Sequence, residues 1–410
     1  MAHLILHIGS HKTGTTSLQT ALRKSSKSLA AHGIKVADRH VDNQGLVNTT
    51  GRQAAFQATL RPQVAEQLLR PDAETVVCSN EMLFWLHDPA EVAHLARMIS
   101  DRFDTVQIFA YLRRQDLLVL SHRKQIVLGR VARDFYGSDF LTLPEPEPFH
   151  RLFLDYDAKI TQLWGGAFGT EAITLVPYER ESLIGQDVVQ DFATRMNLPL
   201  GQPEKDRNAP LGAAELLAGL AFDALGLPHD TVRPILQNVA ERFPDDSRKI
   251  LPTQDEARRF VEYFAESNAR LAETFSHDGQ PFGFSDDYSA YPEIDTPVWT
   301  SQEVMTLLRT VVPQAHSLPG KPARRRNKAA AEGAQGAMTT EGGENPARGG
   351  KKKGAGAGRA KGAGKGAGKG PGQGRAAGKA AGKGQGKGKG AGKGKGKRGG
   401  ATAAAETAED

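Results

Sequence analysis

The N-terminal stretch LILHIGSHKTGTTSLQ, residues 4–19, decides the fold. An apolar run ends at Gly9, a turn rich in hydroxyl groups follows, and a helical pattern begins near Thr15. This order predicts a strand, a phosphate-binding turn and a helix N-terminus. The backbone N–H groups at such a terminus have no partner within the helix and carry partial positive charge, so they attract anions.

The side chains of this turn favour the same interpretation. Lys12 adds a full positive charge, and four hydroxyl groups add hydrogen-bond donors. The alternative is a turn that binds nothing, but such a turn has no use for a lysine among four hydroxyl groups. The residues predicted to bind an anion here are Gly9, Lys12, Thr13, Gly14, Thr15, Thr16 and Ser17.

The position of the second glycine separates this turn from the common triphosphate-binding loop. That loop has the pattern G-x-x-x-x-G-K-[ST], whereas here His11 precedes Lys12 and Gly14 follows it. The order G-x-x-K-T-G-T-T instead resembles the 5′-phosphosulfate loop of sulfotransferases that use 3′-phosphoadenosine 5′-phosphosulfate (PAPS). The resemblance covers roughly residues 3–285. It implies an α/β fold, a three-layer parallel sheet with helices on both faces, and PAPS as the donor co-substrate.

The resemblance also implies a 3′-phosphate site on a later strand–helix unit. Residues 106–112 have the pattern of a buried strand and 116–128 that of a helix. Arg113 ends the strand, and Ser121 lies eight residues later, as in the arginine–serine pair of the family. Arginine offers a bidentate fork to phosphate and serine one further donor. Arg114 is expected on the surface. Arg207 and Asn208 resemble the segment that completes the nucleotide pocket in bacterial relatives.

The general base is predicted to be Glu81, which follows an apolar strand at the edge where open parallel sheets bind ligands. The alternative is that Glu81 only begins the next helix. His11, His87 and His122 are rival bases. In sulfuryl transfer, Lys12 would neutralise the charge growing on the leaving phosphate oxygen. No metal is expected, because no His, Cys, Asp or Glu spacing in the sequence suggests a metal site.

A coarse secondary-structure prediction supports the fold class, because strands alternate with helices. Strands are predicted near 3–8, 74–78, 105–112 and 172–177. Helices are predicted near 15–32, 89–102, 116–129, 150–165, 182–196, 212–226, 230–243 and 253–275. Residues 129–150 contain the proline-rich PEPEP segment and form a candidate acceptor-binding lid or a surface insertion. Trp85 and Trp164 are candidates for an acceptor pocket or for the core.

Composition divides the chain into a sulfotransferase-like domain (1–300), a short helix or linker (301–320) and a Gly/Ala/Lys-rich tail (321–410). The tail has 22 Lys and Arg against 6 Asp and Glu, a net charge of +16, and lacks aromatic residues. The remaining 320 residues have a net charge of −10. Such a tail is predicted to be disordered, because it buries too little apolar surface to offset its chain entropy. It either binds nucleic acid or other polyanions, or only keeps the protein in solution.

The compartment is predicted from cysteine content and from apolar runs. Cys78 is the single cysteine, which fits a reducing compartment. The run Leu4–Ile8 is too short for a secretory signal, and no run approaches the length of a membrane span. The sequence therefore predicts a cytoplasmic protein with no transmembrane segment.

Three functions remain open from the sequence. The first is a PAPS-dependent sulfotransferase acting on a hydroxyl or amine of an unidentified acceptor, such as a glycan. The second is a P-loop-type nucleotide kinase or other phosphotransferase, which the misplaced glycine disfavours. The third is a non-catalytic protein that binds polyanions through its tail.

Overall fold

In the part of the chain that the structure describes, the strands form one central sheet and two small hairpins. They are β1 (His3–Gly9), β2 (Ile34–Val36), β3 (Val47–Thr50), β4 (Gln57–Leu60), β5 (Thr75–Ser79), β6 (Thr105–Leu112), β7 (Ile173–Pro177), β8 (Ser276–His277) and β9 (Gln280–Pro281). The computed structural model describes residues 2–37, 43–201, 211–227, 229–244, 246–295 and 298–316. The central sheet is parallel, with strand order β2-β5-β1-β6-β7, and β3–β4 and β8–β9 are antiparallel hairpins.

Helices make up most of the remaining described chain. They are α1 (Thr15–Lys24), α2 (Ser26–Ala30), α3 (Pro62–Leu68), α4 (Pro89–Ser100), α5 (Gln115–Val127), α6 (Val131–Tyr136), α7 (Arg151–Leu154), α8 (Gly165–Phe168), α9 (Val188–Arg195), α10 (Ala213–Ala224), α11 (His229–Arg242), α12 (Gln254–Glu262), α13 (Ala265–Thr274) and α14 (Ser301–His316). A π-helical segment, Asp157–Trp164, precedes α8. Short 3₁₀ turns include Glu81–Trp85, directly after β5. None of the described helices has the length and apolar character needed to cross a bilayer.

Side-chain alternation along β1 places a hydrophobic layer on each face of the sheet. Leu4, Leu6 and Ile8 belong to the larger core, whereas Ile5 belongs to a second core on the other face. Helices α4 and α5 and the π-helical segment contribute to the larger core, and α1 and α9 contribute to the second. The predicted three-layer α/β fold with a parallel sheet is therefore confirmed.

Most predicted element boundaries agree with the structure, and the differences have local causes. The helix predicted over 15–32 is divided at Ser25, and the one over 253–275 is divided near Phe264. Strand β2 has three half-buried residues at the sheet edge, too few to show a hydrophobic period. Within the predicted irregular segment 129–150, the short helix α6 buries Phe135 and Tyr136 in the core. The proposed domain boundaries stay predictions, and residues 317–410 lie outside the described residues.

Candidate functional site

The candidate site lies at the carboxyl edge of the central sheet. Strand β1 has β5 on one side and β6 on the other, so the chain changes direction across the sheet at this strand. Open α/β sheets bind ligands at such a point. The segments that follow β1, β5, β6 and β7 contribute Lys12, Glu81, Arg113 and Tyr178 to one cleft of about 850 Å³. This volume is in the range of sites that hold cofactors and nucleotides.

The turn after β1 depends on two glycines with positive φ. Gly9 has φ +108°, and a Cβ atom there would lie 3.3 Å from Cα and Cβ of Glu81. Gly14 has φ +76°, and a Cβ atom there would lie 2.7 Å from Cγ1 of Val188. Glycine therefore permits both the backbone conformation and the close approach of neighbouring segments. Lys12 also has positive φ, +63°, which residues with a side chain rarely adopt.

Helix α1 begins at this turn and presents its N-terminus to the cleft. Gly14 is the N-cap residue, so no side chain caps the first turn, and that turn contains no acidic residue. Gly14, Thr15, Thr16 and Ser17 all line the cleft. The uncapped first turn of α1 therefore borders the cleft, and helix N-termini of this kind attract anions.

Two predicted loop residues have a structural role within the turn. The buried Thr13 hydroxyl donates a 2.6 Å hydrogen bond to the carbonyl oxygen of Ser10. Gly9 continues the β1–β6 pairing opposite Ala110. Neither residue lines the cleft. They shape the loop, and their neighbours in the loop line the cleft.

Arg113 lies beside the loop. Its guanidinium Nη1 donates to the carbonyl oxygen of Lys12 at 3.3 Å, although 101 residues separate the two in sequence. The main-chain oxygen of Arg113 accepts a 2.6 Å bond from the hydroxyl of Tyr156. Burial lowers the pKa of Arg113 below its ordinary value, and its buried Nε has no hydrogen-bond partner among the described residues. The guanidinium is therefore fixed at the cleft with donor capacity remaining.

Ser121 lines the cleft on the face of α5 that also carries Leu117 and Lys124. These positions are four and three residues apart, the spacing of one helical face. The Ser121 hydroxyl donates to the carbonyl oxygen of Leu118 at 2.7 Å. The predicted arginine–serine pair thus shares one cleft with the N-terminal loop.

Glu81 reaches the same cleft from the end of β5. The side-chain amide of Gln19 on α1 donates to Oε2 of Glu81 at 2.5 Å and to the carbonyl oxygen of Ser79 at 3.3 Å. Asn80 caps the turn that begins at Glu81 by accepting from the N–H of Met82. The carboxylate is therefore oriented by a neighbouring helix and stands in the cleft wall that also contains Lys12.

The rival bases occupy different surroundings. His11 is buried, and its Nε2 accepts a 3.0 Å bond from Nε1 of Trp85. Burial, assisted by the charge of Lys12, lowers the pKa of His11 to about 3. His122 is fully buried, which lowers its pKa well below the ordinary value, and it does not line the cleft. His87 is half-buried and contacts the carbonyl oxygen of Trp85.

Arg114 corrects the expectation of a surface arginine. Its guanidinium is buried, forms two hydrogen bonds of 2.9 and 3.0 Å with Asp116, and stacks 4.0 Å above the ring of Tyr288. It also donates to the carbonyl oxygens of Ser285 and Asp287 at 2.6 and 2.9 Å. The acidic partner two residues later, together with the segment 285–291, accounts for the burial of a charge that the sequence assigned to solvent.

Most of the other residues predicted for the acceptor or nucleotide pocket do not line the cleft or lie outside the described residues. Trp85 and Trp164 are both buried in the larger core and do not line the cleft, so they are core residues. Within the candidate lid 129–150, only Arg130 is among the described lining residues. Arg207 and Asn208 lie outside the described residues.

The cleft also contains residues that the sequence did not indicate. Its described lining carries seven Lys and Arg side chains and a single carboxylate, that of Glu81. The additional cations are Arg123, Lys124, Arg130, Arg248 and Lys249. Lys124 could have been found from its helical spacing to Ser121, and Tyr178 from its place directly after β7. No local signal marks Arg248 and Lys249, because a long-range fold brings that segment to the cleft.

Within the described residues, no three His, Cys, Asp or Glu side chains form a group that could hold a metal ion. No family model and no curated protein matches the chain. A crystal structure of a sulfotransferase from Alicyclobacillus acidocaldarius is similar over 66% of this chain and 94% of that one, at 16% identity and a TM-score of 0.32.

Proposed function

We propose that the protein is a sulfotransferase that transfers a sulfuryl group from PAPS to a hydroxyl or amine of an acceptor. The observation that carries this proposal is the convergence of Lys12 and Arg113. The Arg113 guanidinium lies 3.3 Å from the Lys12 carbonyl oxygen, and both residues line one cleft of nucleotide size. PAPS has anionic groups at its 5′ and 3′ positions, so two neighbouring cationic sites on one cleft fit it.

The residues present suit each part of this donor. The uncapped first turn of α1, with Lys12, would hold the 5′-phosphosulfate. Arg113 and Ser121 would hold the 3′-phosphate, since a guanidinium forms charge-assisted hydrogen bonds with phosphate. Donor and acceptor would meet near Lys12 and Glu81, which share the cleft wall.

The chemistry follows from these positions. The acceptor oxygen or nitrogen forms a bond to sulfur while the bond from sulfur to the phosphate oxygen breaks. Glu81 takes the proton that the acceptor loses, and Gln19 holds the carboxylate in place. Lys12 stabilises the charge that develops on the leaving phosphate oxygen.

Binding of adenosine 3′,5′-bisphosphate (PAP) tests the donor site. Calorimetry in EDTA should detect binding by the native chain, and Lys12→Ala should weaken it about 10- to 100-fold, the value of one charge-assisted contact. The matched control is Lys27→Ala, an exposed lysine on α2. Preferred binding of ATP with magnesium would favour a kinase. If Lys12→Ala binds PAP as tightly as the native chain does, PAP binds outside this cleft.

Transfer of labelled sulfate from PAPS into fractions of a cell extract tests the reaction. Glu81→Gln should lower the rate about 100-fold or more while PAP affinity stays near the native value, because a general base acts on the acceptor and not on the donor. An unchanged transfer rate in Glu81→Gln would remove this residue from the mechanism and return the histidines to consideration.

A further inference from the structure

Helix α14 carries an apolar stripe that faces solvent. Val304, Met305, Leu308 and Val312 are 41, 48, 45 and 44% exposed. At about 100° per residue, these four positions fall within a sector of roughly 100°. The stripe is therefore continuous along the helix and is not a set of scattered apolar residues.

The edge of α14 that adjoins the stripe is attached to the body of the protein. Leu307 is buried, and Val311 packs against the larger core. Glu303 accepts a 2.8 Å hydrogen bond from the guanidinium of Arg248 and caps the helix together with Thr300. Because the buried face and the N-terminus are held, the stripe cannot turn inward and remains presented to solvent.

The sequence next to this stripe is strongly basic. Residues 321–410 begin five positions after the last residue of α14, His316, and have a net charge of +16. Residues 1–320 have a net charge of −10, and their described cationic cluster lines the cleft. The tail therefore carries the large excess of positive charge in this chain, and α14 is the described helix closest to it in sequence.

We propose that α14 and the basic tail together dock the protein on an anionic lipid surface. The apolar stripe would enter the boundary between headgroups and acyl chains, and the lysines and arginines of the tail would neutralise the lipid headgroups. The strength with which a helix binds a membrane surface increases with the apolar area it buries and with electrostatic attraction to anionic lipids. A nucleic acid would use only the charge of the tail, and a second copy of the chain would use only the stripe.

Co-sedimentation of the full chain with vesicles tests the proposal. Vesicles of phosphatidylcholine with phosphatidylglycerol should bind the native chain, vesicles of pure phosphatidylcholine should bind it much less, and added salt should weaken binding. Leu308→Asp should lower partitioning about tenfold, because a carboxylate then replaces an apolar group at the lipid boundary. Gln302→Asp, on the polar side of the same helix, adds the same charge and should have little effect.

Duplex DNA and the solution mass separate the competing explanations. Selective loss of vesicle binding in Leu308→Asp and in Met305→Asp, with DNA binding and thermal unfolding as in the native chain, supports the proposal. Equal vesicle binding by the native chain and both variants would overturn it. Binding of DNA without binding of anionic vesicles would also overturn it, as would a dimer that Leu308→Asp dissociates while vesicle binding is absent.

Discussion

The two predicted phosphate sites are built in different ways. The loop that follows β1 presents mainly backbone: two glycines with positive φ, an uncapped helix N-terminus and a Thr13 hydroxyl that is bonded within the loop. The junction of β6 and α5 presents side chains, a half-buried guanidinium and a helical serine. A sequence pattern shows a cation and hydroxyl groups in both places. Substitutions at the glycines of the first site should therefore act through conformation, and substitutions at the second site through lost contacts.

The junction contains two consecutive arginines with opposite roles, and this contrast gives the largest expected effect. Arg114→Ala removes the partner of Asp116, a fully buried carboxylate that also accepts from the hydroxyl of Tyr291. Breaking a buried ion pair in this way should lower the free energy of unfolding by about 3–5 kcal/mol. Urea denaturation measures it.

Arg113→Gln is the matched control for this substitution. The described side-chain hydrogen bond of Arg113 is a 3.3 Å contact with a carbonyl oxygen, so its replacement should cost about 1 kcal/mol of stability. The same change should weaken PAP binding about 10- to 100-fold, since it removes charge-assisted contacts. Equal loss of stability in both variants would show that the two arginines do not divide structure and binding between them.

The loop should be most sensitive at Gly14. The backbone of Gly14 has φ +76°, and an added Cβ atom would lie 2.7 Å from Cγ1 of Val188. Gly14→Ala therefore combines backbone strain with overpacking. Together these should lower the free energy of unfolding by about 2–4 kcal/mol. Gly166→Ala in α8 is the control, because a Cβ atom there meets nothing within 4 Å. Similar stability of the two alanine variants would show that the loop tolerates a side chain at Gly14.

The sequence predicted the parts of the site that lie next to a strand end. The loop, Glu81 and Arg113 each follow an apolar strand directly, and parallel strands bring such positions to one edge. The burial of Arg114 could not be predicted locally, because its partners include carbonyl oxygens 171 and 173 residues later. Arg248 and Lys249 could not be predicted as cleft residues for the same reason. The local sequence pattern predicts where strands end. Contacts between residues distant in sequence determine which further side chains lie near those strand ends.

Acidification should destabilise the loop through the buried His11. His11 is neutral in the folded protein because burial lowers its pKa to about 3, whereas its unfolded pKa is near 6.5. The unfolded state therefore binds more protons between these values, and the contribution of His11 to stability falls as pH drops below 6.5. Protonation of His11 in the unfolded state should lower the free energy of unfolding at pH 5 by about 2 kcal/mol relative to pH 7.5. Urea denaturation at both pH values measures the loss.

Comparison with His11→Gln isolates this contribution from those of the other histidines. The variant keeps an acceptor for Trp85 but cannot take up a proton, so its stability should depend less steeply on pH than that of the native chain. His94→Gln, which changes an exposed histidine on α4, is the matched control. A native-like slope in His11→Gln would show that the buried imidazole does not sense pH.

The smallest effect is expected at Ser121, the second member of the junction site. Its hydroxyl has one proton and already donates it to the carbonyl oxygen of Leu118. Contact with a phosphate would exchange one hydrogen bond for another, so Ser121→Ala should weaken PAP binding by about 0.5–1.5 kcal/mol, roughly two- to tenfold. Calorimetry of Ser121→Ala, Arg113→Gln and the double variant gives their coupling energy. If the effects of the two substitutions on PAP binding are additive, Ser121 and Arg113 do not bind the same phosphate.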